Sequence, residues 1–85
     1  MRRAAPKTRL AAVQSVWADA VGGRIAAVAV PVSERDEEVT VACEDPVWAQ
    51  ELDLMRTELL ERLGTLLGDQ APRNLRFRAE TVPAE

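Results

Sequence analysis

The chain has 85 residues, enough for one small domain whose single core must be used efficiently. It is 47% hydrophobic but only 4% aromatic, so Leu, Val and Ala must fill that core around two Trp and one Phe. A formal net charge of −3, one cysteine and no histidine exclude an internal disulfide, a His/Cys zinc site and any Ser–His or Cys–His nucleophile pair built within the chain.

Residues 1–7 read as a basic flexible arm that carries Arg2, Arg3 and Lys7, with Pro6 near its end. From Thr8 to Val21, the residues Leu10, Val13, Trp17, Ala20 and Val21 recur three to four apart and predict an amphipathic helix. Thr8 is its expected cap, and the Gly22-Gly23 pair is its expected stop. Trp17 lies on the apolar stripe and is expected, with Gly22, to be a structural anchor. Arg24 to Ala27 has room for one more helical turn. Val28, Val30 and Val32 then alternate as a strand, and Pro31, which lacks a ladder donor, predicts a sheet edge.

The polar stretch Ser33 to Glu38 turns the chain. Its Asp36-Glu37 lacks the Gly of the tightest hairpins, so a looser turn is expected. Val39, Val41 and Cys43 face one side of a second strand, with Thr40 and Ala42 on the other. Cys43 reads as a small buried apolar residue. Asp45-Pro46 then starts a helix, since Asp accepts from free N–H groups and Pro fits the first helical position. The stripe Trp48, Leu52, Met55, Leu59, Leu63, Leu66 keeps helical spacing, with Glu58 and Arg62 as an outer i,i+4 pair. Leu54, Leu60 and Leu67 fall off that stripe, and a bend near Arg56-Thr57 is expected to divide the segment into two helices and cover both sets. Gly68 ends the second. Leu75 and Phe77 alternate with Arg76 and Arg78 in a last strand, and residues 80–85 read as a frayed tail.

Residues 8–79 are thus expected to form one α+β domain, a two-layer sandwich with a three-stranded mixed sheet. A short turn makes the first two strands antiparallel, and a helical crossover, right-handed by rule, makes the second and third parallel. The α-β-β-α-α-β order is that of the K-homology (KH) fold, type II. Both indoles are expected to lie between the helices and the sheet.

No apolar run is long enough for a membrane span or signal peptide, so a cytoplasmic location without membrane contact is expected. There is no Gly-rich phosphate loop and no metal-spaced acidic cluster, so the expected protein is not an enzyme and needs no cofactor or metal. Charge is strongly segregated. Residues 1–9 carry Arg2, Arg3, Lys7 and Arg9 without an acid, and residues 73–78 carry Arg73, Arg76 and Arg78 without an acid. Residues 33–53 hold eight acids against Arg35 alone.

Two Trp segments add a family resemblance. Trp17 with Gly22, the strand ending near Pro31, Val39-Thr40-Val41 and above all Pro46-Val47-Trp48-Ala49-Gln50-Glu51-Leu52 resemble the DciA family. Leu59-Leu60-Glu61-Arg62-Leu63 and Leu75-Arg76-Phe77 continue the likeness across residues 8 to 79. DciA proteins load or activate the bacterial replicative helicase and carry an N-terminal KH-like domain. The resemblance implies a part in DNA replication, through the hexameric helicase and through DNA. It also implies that Trp17, Gly22, Trp48, Leu52 and Phe77 are structural. Two features depart from the family pattern. Glu37 or Glu38 stands where a turn Gly is usual, and the chain ends soon after the third strand.

A KH domain grips single strands through a Gly-x-x-Gly loop between its helices. Leu54 to Glu58 stands there without glycine, so that mode is not expected. Weak, sequence-independent phosphate contacts are instead assigned to Arg2, Arg3, Lys7, Arg9, Arg73, Arg76 and Arg78. Two alternatives stand beside this reading: a protein-interaction module docking a basic partner on residues 34–38, and a KH-type RNA-binding module. The sequence does not decide the oligomeric state.

Overall fold

The structure, a computed structural model, describes residues 8–82. Helix α1 spans Arg9–Val21, and a single turn, α2, spans Gly23–Ala26. Strands β1 (Ala29–Arg35) and β2 (Glu38–Cys43) follow, then α3 (Pro46–Leu54) and α4 (Arg56–Leu67). A 3-10 turn at Gly68–Gln70 leads to β3 (Asn74–Ala79). The chain is therefore the expected α+β sandwich. Strand β2 is central, antiparallel to β1 and parallel to β3.

The helix ends are set by the residues that predicted them. Thr8 Oγ1 accepts from Ala11 N–H at 3.0 Å, and Asp45 Oδ1 accepts from Trp48 N–H at 2.9 Å, with Pro46 in the first turn. Gly22 takes φ 91°, and its N–H donates to the Ala18 carbonyl at 2.8 Å. Only a residue without Cβ holds that backbone easily. The crossover helix breaks at Met55, one residue before the predicted bend.

The core lies between the helices and one sheet face. Val13, Val39, Val41, Cys43, Leu52, Leu59, Leu63 and Leu75 are all fully enclosed. Trp17 is 4% exposed, and its indole Nε1 donates to the Ala29 carbonyl at 2.8 Å. Burial raises the Cys43 thiol pKa above its ordinary range, because a thiolate there would lose its solvation. Arg62 ties two helices of the helical layer together: it donates to the Ala20 carbonyl at 3.0 Å, near the C-terminus of α1, and pairs with Glu58 on its own helix.

Four expectations need correction. In β1 the buried face is Ala29 and Pro31, while Val28, Val30 and Val32 are only half-buried. Small residues are required there because α1 lies directly against them: Trp17 and Gln14 donate to the Ala29 and Pro31 carbonyls. Those carbonyls point to the outer edge of β1, so the N–H that Pro31 lacks costs no ladder bond, as an edge position allows.

Second, the hairpin turn is tight, not loose. Arg35 pairs with Glu38, and Asp36 and Glu37 between them take φ 52° and 68°, the two positive values of a type I′ turn. Hydrogen bonds replace the missing glycine. Glu34 Oε2 accepts from Glu37 N–H at 2.8 Å, and the Glu37 carbonyl accepts from Arg73 N–H at 2.8 Å.

Third, the bend does not cover every leucine. Leu60 and Leu67 pack on the core, but Leu54 is 77% exposed and Leu66 46% exposed. Fourth, Trp48 is half-buried against the core rather than enclosed, because it sits in the first turn of α3, where the helix leaves the sheet.

Candidate nucleic-acid interface

A sheet covered by helices on one side leaves the other side open. Strand alternation and register assign its residues. Leu75 and Phe77 pair with Val39 and Val41 on the core face, so Asn74, Arg76 and Arg78 share the opposite face with Glu38, Thr40 and Ala42. Arg76 and Arg78 are exposed and project together from β3, as their spacing predicted.

Strand β1 brings a third arginine that sequence reasoning missed. The register slips between Pro31 and Ser33, leaving Val32 as an extra residue. Such a bulge shifts every later side chain to the other face. Without it, Arg35 would fall on the same side as Ala29 and Pro31, against the helices. With it, Ser33 pairs with Thr40 and Arg35 with Glu38, both on the open face. In sequence Arg35 is the lone base of the acidic stretch 33–53. The signal for its placement was Pro31 itself, since proline within a strand marks edges and bulges.

Within the three strands the open face thus holds Arg35, Arg76 and Arg78 around one acid, Glu38, and the same alternation continues to Glu44 and Glu80 just past the ends of β2 and β3. The Glu38 carboxylate is already engaged, accepting from Asn74 Nδ2 at 2.7 Å across β2 and β3. Among the described residues, Arg35, Arg73, Arg76 and Arg78 have no carboxylate within ion-pair distance. Arg35 is level with Asn74, so two strand spacings of about 4.8 Å and a rise of about 3.3 Å per residue place it roughly 12 Å from Arg76 and roughly 16 Å from Arg78, backbone to backbone. That is wide enough for more than one phosphate and too wide for one carboxylate to neutralise both ends. Ser33 and Thr40 add hydroxyls between them.

Arg73 is exposed just before β3, with its backbone N–H held by Glu37. Arg9 stands apart. It lies 3.7 Å from Glu34 and 3.9 Å from Glu37, and donates to the Asp69 carbonyl at 3.5 Å. It joins α1, the hairpin and the 3-10 turn, and its guanidinium faces acids. Arg2, Arg3 and Lys7 lie outside the described residues.

The loop a KH domain would use is unlike a phosphate cradle. The α3–α4 junction at Met55 has no glycine, and Arg56 is paired with Asp53 at 3.7 Å. Among the described residues no group of His, Cys, Asp and Glu has metal-binding geometry, and no helix is long and apolar enough to cross a membrane.

Element order, mixed sheet and an open basic face define a KH-like α+β domain of the type II order, with its Gly-x-x-Gly loop absent. Comparison with known proteins narrows this. The family model described as "Dna[CI] antecedent, DciA" matches residues 1–77, and the chain belongs to the DciA family. It is 33% identical over 79 residues to a UPF0232 protein of Rhodococcus jostii, covering 93% of this chain and 42% of that protein. A UPF0232 protein of Mycobacterium leprae is 32% identical over 68 residues, covering 80% and 36%. One from Mycobacterium tuberculosis is 29% identical over the same length and shares. The chain spans about two fifths of the length of these relatives.

Proposed function

We propose that this domain is a non-enzymatic DNA-replication factor that associates with the hexameric replicative helicase of bacteria and holds DNA weakly through phosphates. Family membership supports the replication role. The observation that carries the DNA part is the open sheet face, where Arg35, Arg76 and Arg78 stand without ion-pair partners among the described residues. Arginine forks match phosphate oxygens, and releasing counterions from the strand drives such binding. No aromatic side chain shares this face, so base stacking and sequence preference are not expected.

Three phosphate contacts imply a logarithmic salt slope of roughly −2 on single strands. The test pairs two measurements on purified components: capture of the replicative helicase, and anisotropy of a labelled oligonucleotide at low and moderate salt. Charge reversal by Arg76→Glu with Arg78→Glu is expected to abolish the DNA signal and leave helicase capture intact. Absence of both helicase capture and DNA binding at low salt would sink the reading. The alternative of a basic partner on residues 34–38 has less support, since Glu34 and Glu37 face Arg9 and Glu38 is held by Asn74.

A further inference from the structure

The most exposed large apolar residues of the fold are on α3. Val47 is 68% exposed and Leu54 77% exposed. They are seven residues apart, so they share one helix face about two turns from each other. Gln50 and Glu51 lie between them on that face and are also exposed, while Trp48 and Leu52 turn inward. Isolated exposed aliphatics are ordinary. Two aligned aliphatics on a helix whose other face is fully used are a different matter, because neither contributes to the core.

The charge along α3 itself is of one sign, and the first base beyond it, Arg56, is paired with Asp53. Glu44, Asp45, Glu51 and Asp53 lie within or just before α3, with no base between residues 44 and 54. Asp45 caps the helix and Asp53 meets Arg56. Glu44 and Glu51 are exposed and have no ion-pair partner among the described residues. An acidic helix repels a nucleic-acid backbone. It also disfavours a symmetric contact between two copies, which would set Glu51 against Glu51. The complementary occupant is a basic segment with aliphatic side chains at helical spacing.

We infer that the exposed face of α3, with Val47 and Leu54 as apolar contacts and Glu51 between them, docks a basic amphipathic helix of the replicative helicase. This rests on the helicase association proposed above and identifies the surface that makes it. The domain then presents two separate handles, arginines on the open sheet face for DNA and an acid-rimmed aliphatic pair on the helical layer for protein.

The test compares the parent with Val47→Ser/Leu54→Ser and with Glu51→Lys, measuring helicase capture, oligonucleotide binding and melting temperature. Both variants are expected to weaken capture at least tenfold, with DNA binding and melting unchanged, because neither position supports the core. Capture by the double variant within twofold of the parent overturns the inference while leaving the helicase association standing. Failure of the parent to capture helicase overturns both. Sedimentation showing a parent dimer that Val47→Ser/Leu54→Ser converts to monomer, with capture intact, assigns the face to a second copy and also overturns it.

Discussion

The two faces of the sheet are built from the same three strands and obey opposite rules. On the covered face Val39, Val41, Cys43 and Leu75 meet Leu52, Leu59 and Leu63 with no exposure. On the open face Arg35, Thr40, Arg76 and Arg78 meet solvent, and only the small Ala42, between Val30 and Arg78, is fully enclosed there. A one-residue slip exchanges the two sets, so burial on one side fixes the register for both. The functional face is therefore positioned by residues that never touch a ligand. Breaking the covered face should disturb everything; changing the open face should disturb binding alone.

The strongest break is at Trp17. Trp17→Ala removes a nearly enclosed indole and leaves the outer edge of β1 without one of its donors. A loss of about 3–5 kcal/mol is expected by denaturant titration, on the scale of aromatic-to-alanine changes in cores. Trp17→Phe should recover part of it, since it restores ring volume but not the bond to the Ala29 carbonyl. Equal stability of the Phe and Ala variants would mean that the hydrogen bond, not packing, dominates. Trp48→Ala is expected to cost less, about 1–3 kcal/mol, because that ring is packed on the core but partly exposed. A loss as large as at Trp17 would show that the first turn of α3 is a keystone of the core.

Cys43 adds a pH test of the same covered face. Its thiol keeps its proton to higher pH when folded than when unfolded, because burial disfavours the charge. Its contribution is fully present below the ordinary thiol range and is lost as pH rises through the folded value. The parent should therefore lose stability on the alkaline side of that range, and Cys43→Ala should not show that component. Identical alkaline profiles would mean that the thiol is reached by solvent.

Much of this was written in the chain, and the failures have common causes. Helix caps at Thr8 and Asp45, the stop at Gly22 and the alternation of β2 and β3 are local signals, and local signals survive folding. What the sequence could not display was decided by contacts distant in the chain. The inward side of β1 depends on α1, whose Trp17 needs a small residue opposite. The tight turn without glycine depends on Arg73, thirty-six residues beyond Glu37. The third arginine of the open face depends on a bulge that shifts parity at Val32. Arg9 reads in sequence as one of the N-terminal bases for phosphate, and in the fold it meets a carboxylate pair from the hairpin.

The turn supplies a smaller and opposite effect. Glu37→Gly places a residue free of Cβ strain at φ 68°, which favours the folded state by about 1 kcal/mol before the Arg9 contact is subtracted. That contact is long and partly exposed, so it subtracts only a few tenths. A rise of several degrees in melting temperature is therefore expected. A fall would show that the Glu37 side chain matters more to the turn than its backbone strain.

Arg35→Gln is the gentlest change and discriminates most finely between the faces. It keeps a polar, hydrogen-bonding side chain, though a shorter one, removes one charge, and lies on the face away from the core. Stability should stay within about 0.5 kcal/mol of the parent, as for surface positions generally. If β1 takes part in holding a strand, the salt slope for an oligonucleotide should fall by about 0.7, the value for one phosphate contact on single strands. An unchanged slope would restrict the interface to Arg76 and Arg78 on β3, and the bulge at Val32 would then serve only to seat Pro31 against the helices. A slope that falls together with stability would mean that the two faces are not independent. That result would remove the ground for treating the arginine side of the sheet as a surface apart from the core.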